Sequence, residues 1–263
     1  MKLQSDDNQD NQEYQPLNPG KEPPSYQDTI YEEDGNSNYY SLETKSLRYT
    51  FIRKVYLILC IQLAFTTGMC GLFMYNDNIK SYVQGPSGHA LMISSFVLQL
   101  VFMLVLVCTN LHRKYPYNYI ILGLFTLCLS YTLGVVTSMY DTNTVLLAAG
   151  ATGIVTLGLT LFAFQTKIDF TGFGPYLFSA LLILIFMGIV SMFVHDRTYD
   201  IIYAGLGAFI FSFYIIYDTQ LIIGGKYKKY QYAPDEHVFA ALNLYLDIVN
   251  LFLYLLQLLD NRR

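Results

Sequence analysis

Two carboxylates sit where a carboxylate is costly. Asp247 lies inside the apolar segment VFAALNLYLDIVNLFLYLLQLL, residues 238 to 259, and Asp218 lies in FIFSFYIIYDTQLIIGG, near the end of the preceding apolar stretch. An ionisable residue at the centre of a membrane helix costs roughly 2.5–3.5 kcal/mol on insertion scales, so an acid retained there marks a site for ions, protons or a partner charge. Asn243, Asp247, Asn250, Tyr254 and Gln257 follow one another at spacings of 4, 3, 4 and 3. At about 100° per residue these five share one narrow helical face. The remaining faces carry Leu, Val, Ile, Phe and Ala, so the polar stripe must turn toward protein or an aqueous path rather than lipid. Carboxylate oxygens suit a hard cation, and two acids with few carbonyls make a weak, transient calcium site, at Asp218 and Asp247, fitted to permeation.

The elements that hold these residues follow from apolar length. Of the 263 residues, 53% are hydrophobic and 14% charged, which places the chain in the membrane class. Seven segments reach the ~17 to 25 residues needed to cross a bilayer: 55 to 75, 90 to 110, 117 to 139, 144 to 165, 174 to 194, 201 to 223 and 238 to 259. Their connections are short, so residues 50 to 263 form one all-α, seven-helix transmembrane domain. Residues 1 to 49 hold ten acids and four bases, whereas residues 50 to 263 hold ten acids and twelve bases. That acidic stretch is rich in Asn, Gln, Pro and Ser and nearly free of aliphatic residues, so it reads as a disordered tail. It lacks the basic start and apolar stretch of a cleavable signal peptide, which leaves targeting to the first span.

Charge sets the expected orientation. With the tail cytosolic, Lys45, Arg48, Arg53, Lys54, Arg113, Lys114, Lys167, Lys226, Lys228 and Lys229 lie inside, against Lys80, Arg197, Arg262 and Arg263 outside. Ten against four favours a cytosolic N-terminus. The last span, with its polar stripe, could instead re-enter and return. In the seven-pass arrangement Asp218 lies about 8 Å and Asp247 about 15 Å from the cytosolic boundary, at 1.5 Å rise per residue. Both fall in the cytosolic half on adjacent antiparallel helices, so they can meet. Taken alone, Asp218 is equally a helix-end residue snorkelling or bonded to its Tyr and Thr neighbours. Two close carboxylates in a low-dielectric site, lined by Asn243, Asn250 and Gln257, cannot both ionise easily and should titrate as a unit.

Other residues weigh less. Pro23, Pro24, Ser25 and Tyr26 form a PPxY sequence, which suits an aromatic WW groove through its polyproline II conformation, with Tyr26 as second anchor; an ordinary Pro-containing linker is the competing reading. A WW-domain ubiquitin ligase would find Lys2, Lys21 and Lys45 nearby. Small residues crowd the fourth segment, and Ala149 with Gly153 reads as a close helix-packing surface. The clusters Tyr115, Tyr117, Tyr119 and Tyr227, Tyr230, Tyr232 read as interfacial anchors. Gln62 and Gln99 read as interhelical hydrogen-bonding groups, and Cys60, Cys70, Cys108 and Cys128 as small buried hydrophobes rather than disulfides. There is no HExxH, no GxSxG and no paired-Gly phosphate loop, and His89, His112, His195 and His237 all sit at segment ends. No enzymatic activity, cofactor, zinc site or nucleic-acid partner is expected.

The stretches YDTQLIIGG (217 to 225) and PDEHVFAALNLYLDIVNLFLYLLQLL (234 to 259) resemble the signature end of the Bax inhibitor-1 family, also called transmembrane Bax inhibitor motif or Lifeguard proteins. IRKVYLILCIQLAFTTG (52 to 68) is similar to the family's first helix and DFTGFGPYLF (169 to 178) to its fourth-to-fifth loop. The resemblance spans residues 47 to 259. It implies a seven-helix fold with the last helix central, wrapped by the other six. It also implies a pH-sensitive calcium leak associated with an acidic pair matching Asp218 and Asp247 and a loop acid matching Asp235. In the family this activity accompanies lower store calcium and suppression of cell death, so an internal membrane is expected: endoplasmic reticulum, Golgi or vacuole/lysosome. A basic residue on the second helix, proposed as a latch to the pair, has no counterpart in residues 90 to 110; Arg113 lies just beyond. The alternative function is a regulatory scaffold that binds cell-death regulators and a ubiquitin ligase, with the acids merely structural.

Overall fold

The computed structural model describes residues 37–194, 196–225 and 228–260. Among these described residues eight α-helices follow in order: α1 (Ser37–Tyr75), α2 (Asp77–Val83), α3 (Pro86–Cys108), α4 (Tyr117–Ser138), α5 (Thr142–Gln165), α6 (Gly174–Ser191), α7 (Arg197–Ile223) and α8 (His237–Leu259). Seven are long and apolar enough to cross a membrane: Ser46–Tyr75, Pro86–Cys108, Tyr117–Ser138, Thr142–Gln165, Thr171–Ser191, Arg197–Ile223 and His237–Leu259. Among the described residues there is no strand. The chain is an all-α, multi-pass membrane protein, and each span expected from apolar length overlaps one of these helices.

Local chemistry sets the helix ends. Asn76 opens α2 by accepting from the Asn78 and Ile79 amides at 3.1 and 3.2 Å, and Asp196 opens α7 by accepting from the Tyr199 amide at 3.1 Å; such caps satisfy donors that a helix start leaves orphaned. Pro86 and Pro175 fall in the first turns of α3 and α6, where a missing N–H costs nothing. Gly224 ends α7 at φ 57°, the left-handed conformation that glycine adopts most cheaply. One detail differs from expectation. α1 begins at Ser37, inside the stretch whose composition reads as tail; extending an existing helix costs far less than nucleating one. Pro23, Pro24 and Tyr26 lie outside the described residues.

The core is built around α8. In its most apolar window 56% of residues are buried, against 6% for the α6 span, so α8 is the interior helix and α6 a peripheral one. α8 packs on α7, α5 and α4. Its Tyr245, fully buried, bonds through its hydroxyl to Thr66 of α1 at 2.6 Å. Thr66 also bonds Ser130 of α4 at 2.8 Å, and Gln62 Nε2 donates to Thr126 Oγ1 at 2.9 Å. Gln62 is thus the interhelical bonding group its type suggests. The small-residue surface of α5 is a correction: Ala149 and Gly153 are exposed, and a Cβ on Gly153 would meet nothing within 4 Å. α5 instead packs through Val145, Ala148 and Thr152, all buried. The four cysteines are free thiols.

Candidate functional site

Asp218 and Asp247 face one another across the α7–α8 contact. Both are buried, at 5% and 6% relative exposure, and their carboxyls lie close enough to act on one another. An ionised carboxylate only accepts, so a hydrogen bond between two carboxyls requires that one of them hold a proton. Asp218 and Asp247 thus lie at matching depth on the packed helices α7 and α8, as their spacing from the connection predicts. Asp247 Oδ2 remains buried with no hydrogen-bond partner, an acceptor that a cation, a proton or a water would satisfy.

A tyrosine closes the site from the 224–236 connection. Tyr232 Oη donates to Asp218 Oδ1 at 3.4 Å and accepts from Asn243 Nδ2 at 2.8 Å. Burial, then the charge of Asp218, push the Tyr232 hydroxyl well above its ordinary value, so it remains a donor. Tyr232 is held by its backbone: its amide donates to Leu221 O at 3.2 Å and its carbonyl accepts from Arg48 Nη1 at 2.8 Å. Arg48 also donates to Ile223 O at 2.8 Å and Leu221 O at 2.6 Å. These are carbonyls at the C-terminus of α7, where a cation is favoured. A Cβ on Gly224 would lie 2.4 Å from Arg48 Nη2, so glycine there also admits the guanidinium.

The neighbouring connection is stitched to the same end. Gln220, fully buried, accepts from the Phe170 amide at 2.7 Å and donates to Ile168 O at 3.0 Å. Asp169 accepts from the Thr171 amide, the Thr171 hydroxyl and the Lys229 amide at 3.0, 2.7 and 2.9 Å. Burial pushes its carboxyl up, but these bonds and the charge of Lys228 outweigh it and hold it below the usual carboxylate value.

The remaining sequence candidates separate. Asn243 belongs to the site through Tyr232. Asn250 does not join it: its Nδ2 donates to Leu246 O of its own helix at 2.8 Å. Tyr254, lower on the same stripe, bonds the Tyr203 hydroxyl of α7 at 3.1 Å. The stripe is thus shared between α7 and its own backbone rather than forming one continuous lining. Asp235 is likewise outside the pair: it is exposed and lies 3.4 Å from Arg113 Nε. Arg113 Nη2 also meets Glu236 Oε1 at 2.5 Å. The cation is therefore a clasp on the loop entering α8, not a latch on the buried acids. Among the described residues no group of three or more His, Cys, Asp or Glu is placed to hold a metal ion, so two carboxyls fall short of the about six to eight oxygens a tight calcium site supplies. Sequence reasoning missed Arg48 and Tyr232, counting one as boundary charge and the other as an interfacial anchor. Only burial distinguishes Tyr232, at 9% exposure, from Tyr230, at 50%.

Comparison with known proteins decides the family. Residues 48–263 match the family described as inhibitor of apoptosis-promoting Bax1. This chain belongs to the Bax inhibitor family. Relatives include the Golgi anti-apoptotic protein of vaccinia virus strains Lister and LC16m0, each 41% identical over 215 residues, covering 81% of this chain and 86% of the viral protein. The same protein of strain LC16m8 matches equally. The Bax inhibitor match begins at the Arg48 clamp and contains the whole of the Asp218–Tyr232–Asp247 site.

Proposed function

We propose that this Bax inhibitor family member is a calcium leak channel of an internal membrane, Golgi, endoplasmic reticulum or vacuole/lysosome, which lowers store calcium and suppresses cell death. The observation that carries the reading is the buried Asp218–Asp247 contact between two spans, with Asp247 Oδ2 lacking a partner. A shared proton between two carboxyls is a switch: its loss puts two like charges in contact and drives α7 and α8 apart, and its return restores the contact. The leak is therefore pH-dependent, with calcium as permeant ion rather than cofactor, and no enzymatic step is involved. The basic residues near the Arg48 end favour a cytosolic N-terminus, which puts the pair at the cytosolic end of the pathway. The Golgi anti-apoptotic relatives support both the cell-death role and the internal membrane.

Purified protein in calcium-loaded liposomes tests this from about pH 5 to 8, the window in which perturbed acids and histidines titrate. Asp218→Asn and Asp247→Asn keep the side-chain shape and remove the charge, so each should flatten the pH dependence and alter the flux. Folded mutants that leak with the parent's pH profile would remove the carboxylate mechanism. One observation favours a second reading, a regulatory scaffold: both acids are sealed by packing and by Tyr232. A protein that acts by this route alone passes no calcium in the same assay and instead binds cell-death regulators and, through Pro23, Pro24 and Tyr26, a WW-domain ubiquitin ligase.

A further inference from the structure

α1 and α4 run side by side in the same direction, and between them lies an open groove of about 450 Å³ lined by Leu57, Ile61 and Phe65 on one wall and Gly123 and Leu127 on the other. Lys54 stands at its mouth, and the Gln62–Thr126 hydrogen bond crosses its floor. The volume is within the range of small-molecule sites, about 300–1,000 Å³. Its length is more telling. Lys54 to Phe65 is eleven residues, or about 16 Å at 1.5 Å per residue. Half of a ~30 Å hydrocarbon core is ~15 Å, so with the first span starting at residue 55, as apolar length sets it, the groove has the depth of one acyl chain in one leaflet.

The mouth has its own chemistry. Lys54 is exposed and has no hydrogen bond or ion pair with a described acid. Tyr119, which also lines the groove, bonds His237 at 2.9 Å. An exposed ammonium above an apolar slot one leaflet deep is complementary to a lipid with a negative head and a hydrocarbon chain, because basic side chains between spans recruit anionic headgroups. We propose that this groove binds an anionic glycerophospholipid of the leaflet at the Lys54 end, one acyl chain between α1 and α4 and the phosphate beside Lys54. The lipid then acts as a wedge on α1, the helix that carries the Arg48 clamp. The site is separate from the acidic pair, and its test reads lipid binding rather than ion flux.

The test uses the purified full chain in detergent, titrated with phosphatidylserine or phosphatidylcholine of identical acyl chains, with thermal stabilisation as readout. Parent protein should bind phosphatidylserine about five-fold more tightly, the equivalent of ~1 kcal/mol for one basic side chain near the interface. Lys54→Ala should bring that ratio close to one, weakening phosphatidylserine more than phosphatidylcholine, whose phosphate also meets the ammonium. Gly123→Leu should weaken both lipids by about ten-fold or more, since overfilling a packed slot is strongly penalised. A Cβ at Gly123 meets nothing within 4 Å, so the variant folds with its side chain in the groove. Gly158→Leu, on the exposed side of α5 with equally open space, should behave as the parent. A parent that does not discriminate the lipids, a Lys54→Ala protein that still does, or a Gly123→Leu protein that binds as the parent would each overturn the proposal.

Discussion

Removing the Arg48 side chain should loosen the end of α7 and the connection that carries Tyr232. The guanidinium donates three hydrogen bonds of 2.6 to 2.8 Å to Leu221, Ile223 and Tyr232 carbonyls, 173 to 184 residues away in the chain. Bonds to a charged group contribute roughly 1.5–3 kcal/mol each when sheltered. Arg48 is only half-buried, so water recovers much of that, and Arg48→Ala should cost about 2–4 kcal/mol in total. Arg48→Lys keeps the charge but not the planar fork, so it should recover about half or less. Unfolding of the purified protein in mixed micelles gives the energies, and hydrogen exchange at the Gly224 and Tyr232 amides locates the effect. Those amides should exchange faster in Arg48→Ala while α4 and α5 stay protected. A change within about 0.5 kcal/mol, the ordinary range for a surface substitution, with unchanged amide protection would refute the clamp.

Gly207→Ala should destabilise the bundle by about 1–3 kcal/mol, an overpacking cost, because its Cβ would lie 2.5 Å from two ring carbons of Tyr254; equilibrium unfolding measures it, and parental stability would show that the ring is free to move. The docking of residues 166–173 on the 224–236 connection depends on ionised Asp169, whose folded value is depressed. Its stabilisation is complete above the unfolded carboxylate value of about 3.9 and lost as pH falls through the folded value; Asp169→Asn should abolish this acid limb in exchange rates at the Lys229 amide. Tyr26→Ala should weaken pull-down of a WW-domain ubiquitin ligase and slow turnover without altering unfolding, since the aromatic anchor of the motif is lost; unchanged binding would leave Pro23 and Pro24 as linker.

Apolar length is a one-dimensional property, and for that reason all seven spans are legible in the sequence. The meeting of Asp218 with Asp247 is legible too, because depth along two antiparallel helices follows from counting. What counting cannot supply is azimuth on helices with no polar face. The small residues of α5 have the same spacing whether they meet a helix or lipid, and the structure turns Ala149 and Gly153 outward. Contacts made by connections are equally hidden. Tyr232 differs from Tyr230 only in where a thirteen-residue connection folds back, and the Arg113 partners Asp235 and Glu236 lie more than 120 positions away.

The placement of α8 bears on how the protein is made. Every other span precedes it in chain order, yet it is the most buried of them and packs on α4, α5 and α7. Chains emerge N-terminus first, so six spans enter the bilayer before the most buried helix exists. During that interval Asp218 has no Asp247 beside it, and the Thr66 and Ser130 hydroxyls have no Tyr245. The half-built assembly therefore lacks the cover that α8 gives these polar groups, and exposing such groups to lipid costs free energy. Release of the final helix both fills the interior and hides them. A chain that stops before residue 237 is then a bundle whose polar side chains on α1 and α7 lack the partners that α8 supplies.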